Sequence, residues 1–168
     1  MASRSGATVE GTDGNDYLHR ETVVQQYHVS AKNKAHLKRL IFFHFLLSII
    51  MVFIPKPKPW EWIWMTSLPA STAAWSAACR KSQILYINIF RILIIVTGLL
   101  PLMVGMSYHF SDLSKVITEN SDQIIPKWLG IPAAVLWYVF FFAAFLMHGF
   151  QLYFAKQLVI AWTPKKSN

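Results

Sequence analysis

Any chemistry in this sequence has to come from the few polar side chains that interrupt its apolar stretches. His44, Asn88, Arg91, His148 and Gln151 each lie inside a run of hydrophobic residues. A charge at the centre of a membrane-spanning helix costs about 2.5–3.5 kcal/mol, so each of these groups needs a reason to be there. Two imidazoles and a guanidinium at one depth are the raw material of a proton-transfer or metal site. The same residues also suit interhelical hydrogen bonds, with Arg91 extended toward the headgroups, and the spacing favours that structural reading. A membrane metal pair needs histidines three or four apart, so that several point at the same ions. Neither His44 nor His148 has a second histidine on its turn.

One cysteine and scattered imidazoles make a poor zinc set, so no metal or other cofactor is expected. Cys79 is the single thiol and stands beside Arg80 and Lys81. Cations there would lower its pKa or suit reversible acylation, although such a cysteine is more often a small buried residue. No Gly-rich phosphate loop is present, and no catalytic residues are expected.

Composition says which elements must position these groups. The 168 residues are 54% hydrophobic and 15% aromatic, a membrane-protein balance. The apolar residues come in blocks. The net charge of +8 raises nucleic acid as a partner. The bases sit at the edges of the apolar blocks, without a stripe of stacking aromatics, which excludes that class. A lone cysteine forms no internal disulfide. No cleavable signal peptide is expected, since no apolar segment closely follows a basic N-terminus.

A spanning helix takes about 20 apolar residues to cross roughly 30 Å of hydrocarbon. Four spans are predicted, at about 40–54, 62–78, 84–108 and 129–155. The fold class is an all-α integral membrane protein with four transmembrane helices, occupying residues 40–162. Trp60, Trp62 and Trp64 read as an interfacial aromatic cluster at the start of the second span. Along that span Thr66, Ala70, Ala74 and Ala78 repeat every fourth residue, with Ala73 and Ala77 alongside. Small residues at this spacing allow close helix approach, within the bundle or between copies.

Residues 1–21 are expected to be a disordered tail. Residues 22–39 form a basic juxtamembrane segment, either a surface helix or a straight extension of the first span. Pro55-Lys56-Pro57-Lys58-Pro59 cannot continue a helix and should link spans one and two stiffly. The longest loop is expected over 111–127.

Orientation follows from the bases. Lys32, Lys34, Lys38, Arg39, Arg80, Lys81, Lys156, Lys165 and Lys166 fall on one side, against Lys56, Lys58, Lys115 and Lys127 on the other. Cytosolic loops carry the excess of Lys and Arg, so both termini are expected in the cytosol. Residues 163–168 then form a cytosolic tail. Lys165 and Lys166 stand fourth and third from the last residue of the sequence. Two lysines at those positions are a dilysine retrieval signal, read by COPI-type coat proteins that return cargo to the endoplasmic reticulum (ER). Such a signal is an address and not an anchor.

Several motifs together resemble the jagunal family. They are Met1-Ala2-Ser3-Arg4, Gly11-Thr12-Asp13-Gly14-Asn15-Asp16 and His19-Arg20 at the N-terminus, and Lys38 running into the apolar span that holds His44. Trp60-Glu61-Trp62 and His148-Gly149-Phe150-Gln151-Leu152-Tyr153 complete the set. The resemblance implies a four-span ER membrane protein that organises that organelle and supports vesicle traffic early in secretion. It also implies a dilysine tail that engages the coat, and Lys165 and Lys166 match that motif. Gly11, Thr12, Asp13, Gly14, Asn15, Asp16, His19 and Arg20 are a candidate cytosolic docking segment that orders on binding. The expected partners are the lipid bilayer, the coat, and secretory cargo or a second copy. The alternative is a small proton-coupled transporter using an intramembrane His/Arg layer.

Overall fold

The computed structural model describes residues 15–52, 57–118, 127–128 and 130–163. The elements are α1 (Asn15–Val52), α2 (Pro59–Lys81), α3 (Ile84–Leu93), a π-helical turn (Ile94–Leu99), α4 (Leu100–Thr118), β1 (Lys127–Trp128), β2 (Ile131–Pro132) and α5 (Ala133–Trp162). The fold is all-α apart from the short antiparallel pairing of β1 with β2. Among the described residues, three segments are long and apolar enough to cross a membrane: Val23–Val52, Ile84–Thr118 and Ala133–Trp162. The second expected span lies in α2, which is outside that group because its Ser, Thr, Trp and Pro residues lower its mean hydropathy.

The helices run longer than the apolar blocks. The expected disordered tail ends early, because α1 is already helical at Asn15. Residues 22–39 are a straight extension of the first span and not a separate surface helix. The 111–127 loop is shortened at its start, since α4 continues to Thr118. The last span begins at Ala133 and continues to Trp162, where the sequence had suggested 129–155. Backbone hydrogen bonding inside a helix does not stop where hydropathy falls, so Lys156 and Gln157 are carried along.

Local chemistry sets the ends of α2. Pro59 opens the helix, where its missing N–H costs nothing, and the Glu61 carboxylate accepts the Lys58 backbone N–H at 2.9 Å. At the other end Ser82 takes a left-handed conformation (φ 48°), and the Gln83 N–H reaches back to the Ala78 carbonyl at 3.1 Å. α3 starts at once, so the α2–α3 connection is a tight turn.

The third rod changes pitch in its middle. Pro101 is buried and has no N–H to offer the Thr97 carbonyl, and its ring crowds that oxygen. The turn before it is widened, with Leu100 N–H donating to Ile95.

Side chains pack in two apolar clusters. One holds Leu37, Ala74, Ala78, Ile87, Phe90, Ile94, Ala155 and Leu158. The other holds Met51, Trp60, Trp64, Leu102, Phe141, Ala144 and Met147. Trp60 and Trp64 therefore face inward, and only Trp62 is outward, at 57% exposed. Four residues make just over one helical turn, so 60 and 64 share a face that 62 cannot. The inner face of α2 continues through Ser67, Ser71, Ala74 and Ala78. It shares Ala74 and Ala78 with the expected small-residue stripe, while Thr66 and Ala73 point outward.

Candidate functional site

Between the two apolar clusters lies a buried polar layer to which every long helical rod contributes. α1 supplies His44, α2 supplies Trp64 and Ser67, the π turn supplies Gly98, and α5 supplies His148 and Gln151. His44, Ser67, His148 and Gln151 are fully buried. The Trp64 indole N–H donates to His148 Nε2 at 3.2 Å. Indole nitrogen can only donate, so His148 carries its own proton on Nδ1, which lies 2.9 Å from Gln151 Oε1. The His148 bonds are thus those of a neutral imidazole. His44 Nε2 meets Ser67 Oγ at 3.0 Å, and Ser48 Oγ donates to the His44 carbonyl at 2.9 Å. The two imidazoles meet edge to face with centroids 4.9 Å apart.

The close packing depends on glycine at one position. A Cβ on Gly98 would fall 2.9 Å from His148 Cε1 and 3.0 Å from its Nε2. Only hydrogen at that position lets the ring reach Trp64. Two polar atoms of the layer, His44 Nδ1 and Gln151 Nε2, have no protein partner. The arrangement does what hydrogen bonds between helices do in lipid, fixing rotation and depth of each helix against its neighbours.

The sequence profile described as "Jagunal, ER re-organisation during oogenesis" matches residues 1–54 and 52–166, which include every member of this layer. Protein jagunal of Drosophila melanogaster is 37% identical, over 98% of this chain and 96% of its own length. The chain belongs to the jagunal family. The jagunal homolog of Caenorhabditis elegans is 30% identical over 99% of each chain, and human jagunal homolog 1 is 26% identical over 96% of this chain and 94% of its own.

In this jagunal-family chain the expected five-residue layer divides. His44, His148 and Gln151 come together. Asn88 and Arg91 do not join them: Arg91 Nη1 donates to Asn88 Oδ1 at 3.1 Å, one turn away on α3. Trp64, Ser67 and Gly98 are the members that sequence reasoning missed. A face drawn through positions 60, 64, 67, 71, 74 and 78 would have found the first two. Nothing in the sequence marks Gly98, because the widened turn decides where it points.

Cys79 is a free, half-buried thiol near the end of α2, in keeping with the small buried residue that such a cysteine more often is. Among the described residues, no group of His, Cys, Asp and Glu is arranged to hold a metal ion. Gly11, Thr12, Asp13, Gly14, Lys165 and Lys166 lie outside the described residues. Asn15, Asp16, His19 and Arg20 fall on the first two turns of α1.

The bundle ends differ in chemistry. At one end Trp162 Nε1 donates to Ser30 Oγ at 2.8 Å, and Lys34 lies 5.1 Å from the centroid of the Trp162 ring. Lys34 Nζ also reaches Ser82 Oγ at 3.3 Å, tying α1 to the α2–α3 turn. At the other end Lys58 Nζ sits 3.5 Å from the centroid of Tyr108. His109 stacks on Trp137 at 4.9 Å there, and Gly105 admits the Trp60 and Phe141 rings.

Proposed function

We propose that the protein is a four-span, non-enzymatic membrane protein of the ER, with both termini in the cytosol. It supports ER organisation and vesicle-mediated transport in the early secretory pathway, and Lys165 and Lys166 bind the COPI-type coat as a dilysine signal. The observation that carries this reading is the family match along residues 1–54 and 52–166, whose description is ER re-organisation. α2 is taken as the fourth span because at 23 residues it is about 35 Å long and packs against α1, α3 and α4. Its hydroxyls cost little in lipid where they bond to their own helix. Thr66, Ser71 and Ser76 each donate to the carbonyl three residues earlier. The residues 11–20 serve as a cytosolic docking segment, of which residues 15–20 lie on the first turns of α1. Cargo or a second copy are further partners of the spans.

The rival reading, a proton-coupled carrier, asks His44, Arg91 and His148 to share one path. Engagement of Arg91 by Asn88, and of both histidines by neutral donors and acceptors, weighs against it.

The test is the location in cells of an N-terminally tagged chain, with Lys165 and Lys166 intact or both changed to serine. The intact chain is expected in a reticular pattern, and the double variant in Golgi or surface membranes. If both stay reticular, the coat-binding role of the lysines is wrong.

A further inference from the structure

α1 and α2 diverge at one level and leave an open groove of about 800 Å³ between them. That size is within the roughly 300–1,000 Å³ of ligand-binding clefts. Its walls are apolar: Phe42 and Phe45 from α1 face Leu68, Pro69 and Ala73 from α2. The reason it stays open is legible in α2. Trp60 and Trp64 of that helix are turned inward, and the middle of its groove face carries the small Thr72, Ala73 and Ser76, with Trp75 at the groove wall.

Charge distinguishes the two ends of the groove. Lys38 lines it beside Ser76, and Arg80 follows one turn later on the same face of α2, exposed. Lys34 stands at that end too, through its bond to Ser82. The acidic side chains among the described residues are remote from them. Glu61 and Asp112 belong to the opposite end, and Glu21 lies about 25 Å from Lys38 along α1. From Lys38 to Phe45 the apolar wall runs about 10 Å. A cationic mouth above an apolar trough of that length has the complementarity of an anionic headgroup with its acyl chain.

We propose that this groove binds an anionic phospholipid, one acyl chain lying between α1 and α2 and the net negative charge of its headgroup drawn to Lys38 and Arg80. Basic pockets between spanning helices on the cytosolic side hold acidic lipids in the same way. A second copy is the poorer occupant. Two copies share one orientation in a bilayer, so a symmetric interface on this groove would bring their Lys38 and Arg80 residues together at one depth. The inference rests on α2 crossing the bilayer beside α1 with Arg80 at the cytosolic leaflet, as proposed above.

The test is native mass spectrometry of the purified full chain in mixed micelles. These would contain equal amounts of phosphatidylserine and phosphatidylcholine with identical acyl chains. One phosphatidylserine is expected to be retained over phosphatidylcholine by about 25-fold, about fivefold from each of Lys38 and Arg80. The pair Lys38→Gln and Arg80→Gln, both exposed positions, should bring the two lipids to parity without losing phosphatidylcholine. Ala73→Phe, which fills the trough from an exposed position, should lower retention of both lipids with helicity unchanged. Parity in the wild type, or undiminished phosphatidylserine on Ala73→Phe, overturns the proposal. So does a dimer mass that Ala73→Phe abolishes, because the groove would then hold a second copy. Labelling of a cysteine placed at Ser82 in sealed microsomes reports the four-span orientation separately, so failure of one is not confused with failure of the other.

Discussion

Gly98 and His148 show how much of this molecule is decided at single positions. The histidine is buried in the polar layer between the two apolar clusters and stays satisfied because Trp64 can donate to it. Trp64 reaches it because Gly98 offers no Cβ. Gly98→Ala should therefore push the ring off its partner and destabilise the fold by about 1–3 kcal/mol, as overpacking of a filled core does. In a His148→Ala background the same substitution should cost far less, since the clash is gone. Unfolding midpoints of the four chains in mixed micelles measure this, and additive effects would show that the two residues are not coupled. His44, His148 and Gln151 were legible in the sequence because polar groups stand out in apolar runs. Asn88 and Arg91 were wrongly grouped with them, because depth along a helix says nothing about the direction a side chain faces.

At the scale of elements, hydropathy located the helices and misjudged their lengths. α1 is the clearest case. Its apolar block begins near Leu40, yet the helix starts at Asn15 and carries Ser30, Lys34 and His36 into contacts with α5 and the α2–α3 turn. The 15 residues before Ser30 continue beyond the last turn of α5 as a projecting rod of about 22 Å. Spin labels at Glu21 and Ala35, both exposed, should give a narrow distance distribution near 21 Å in a Cys79→Ser chain. A broad distribution would mean that residues 21–35 do not form one continuous helix. In the third rod, a single expected span is divided by the π turn ahead of Pro101. The proline was visible in the sequence; the direction in which the helix would relax was not.

For the molecule as a whole, the charge asymmetry that predicted orientation is also an asymmetry of structure. Lys34 and Arg80 belong to the end where α1, the α2–α3 turn and the close of α5 meet, and Lys58 to the other, where it is held over Tyr108. With both termini cytosolic, an impermeant maleimide applied to sealed ER microsomes should label a cysteine placed at Ser5 and spare one placed at Asp122. A Cys79→Ser background keeps the signal to one thiol. Equal labelling of the two positions would remove the proposed orientation.

The sequence alone determined the class of molecule, the order of its apolar blocks and the family resemblance. All of these depend on composition, spacing or motif along a line. Only the tertiary structure decided which polar groups meet, because that depends on the rotation of each helix about its axis. A widened turn, a proline or one glycine resets that rotation, and none of them alters the hydropathy by which the helices are found. The same holds for the groove between α1 and α2, whose α2 side is set by which of that helix's residues face it, Thr72, Ala73 and Ser76 among them.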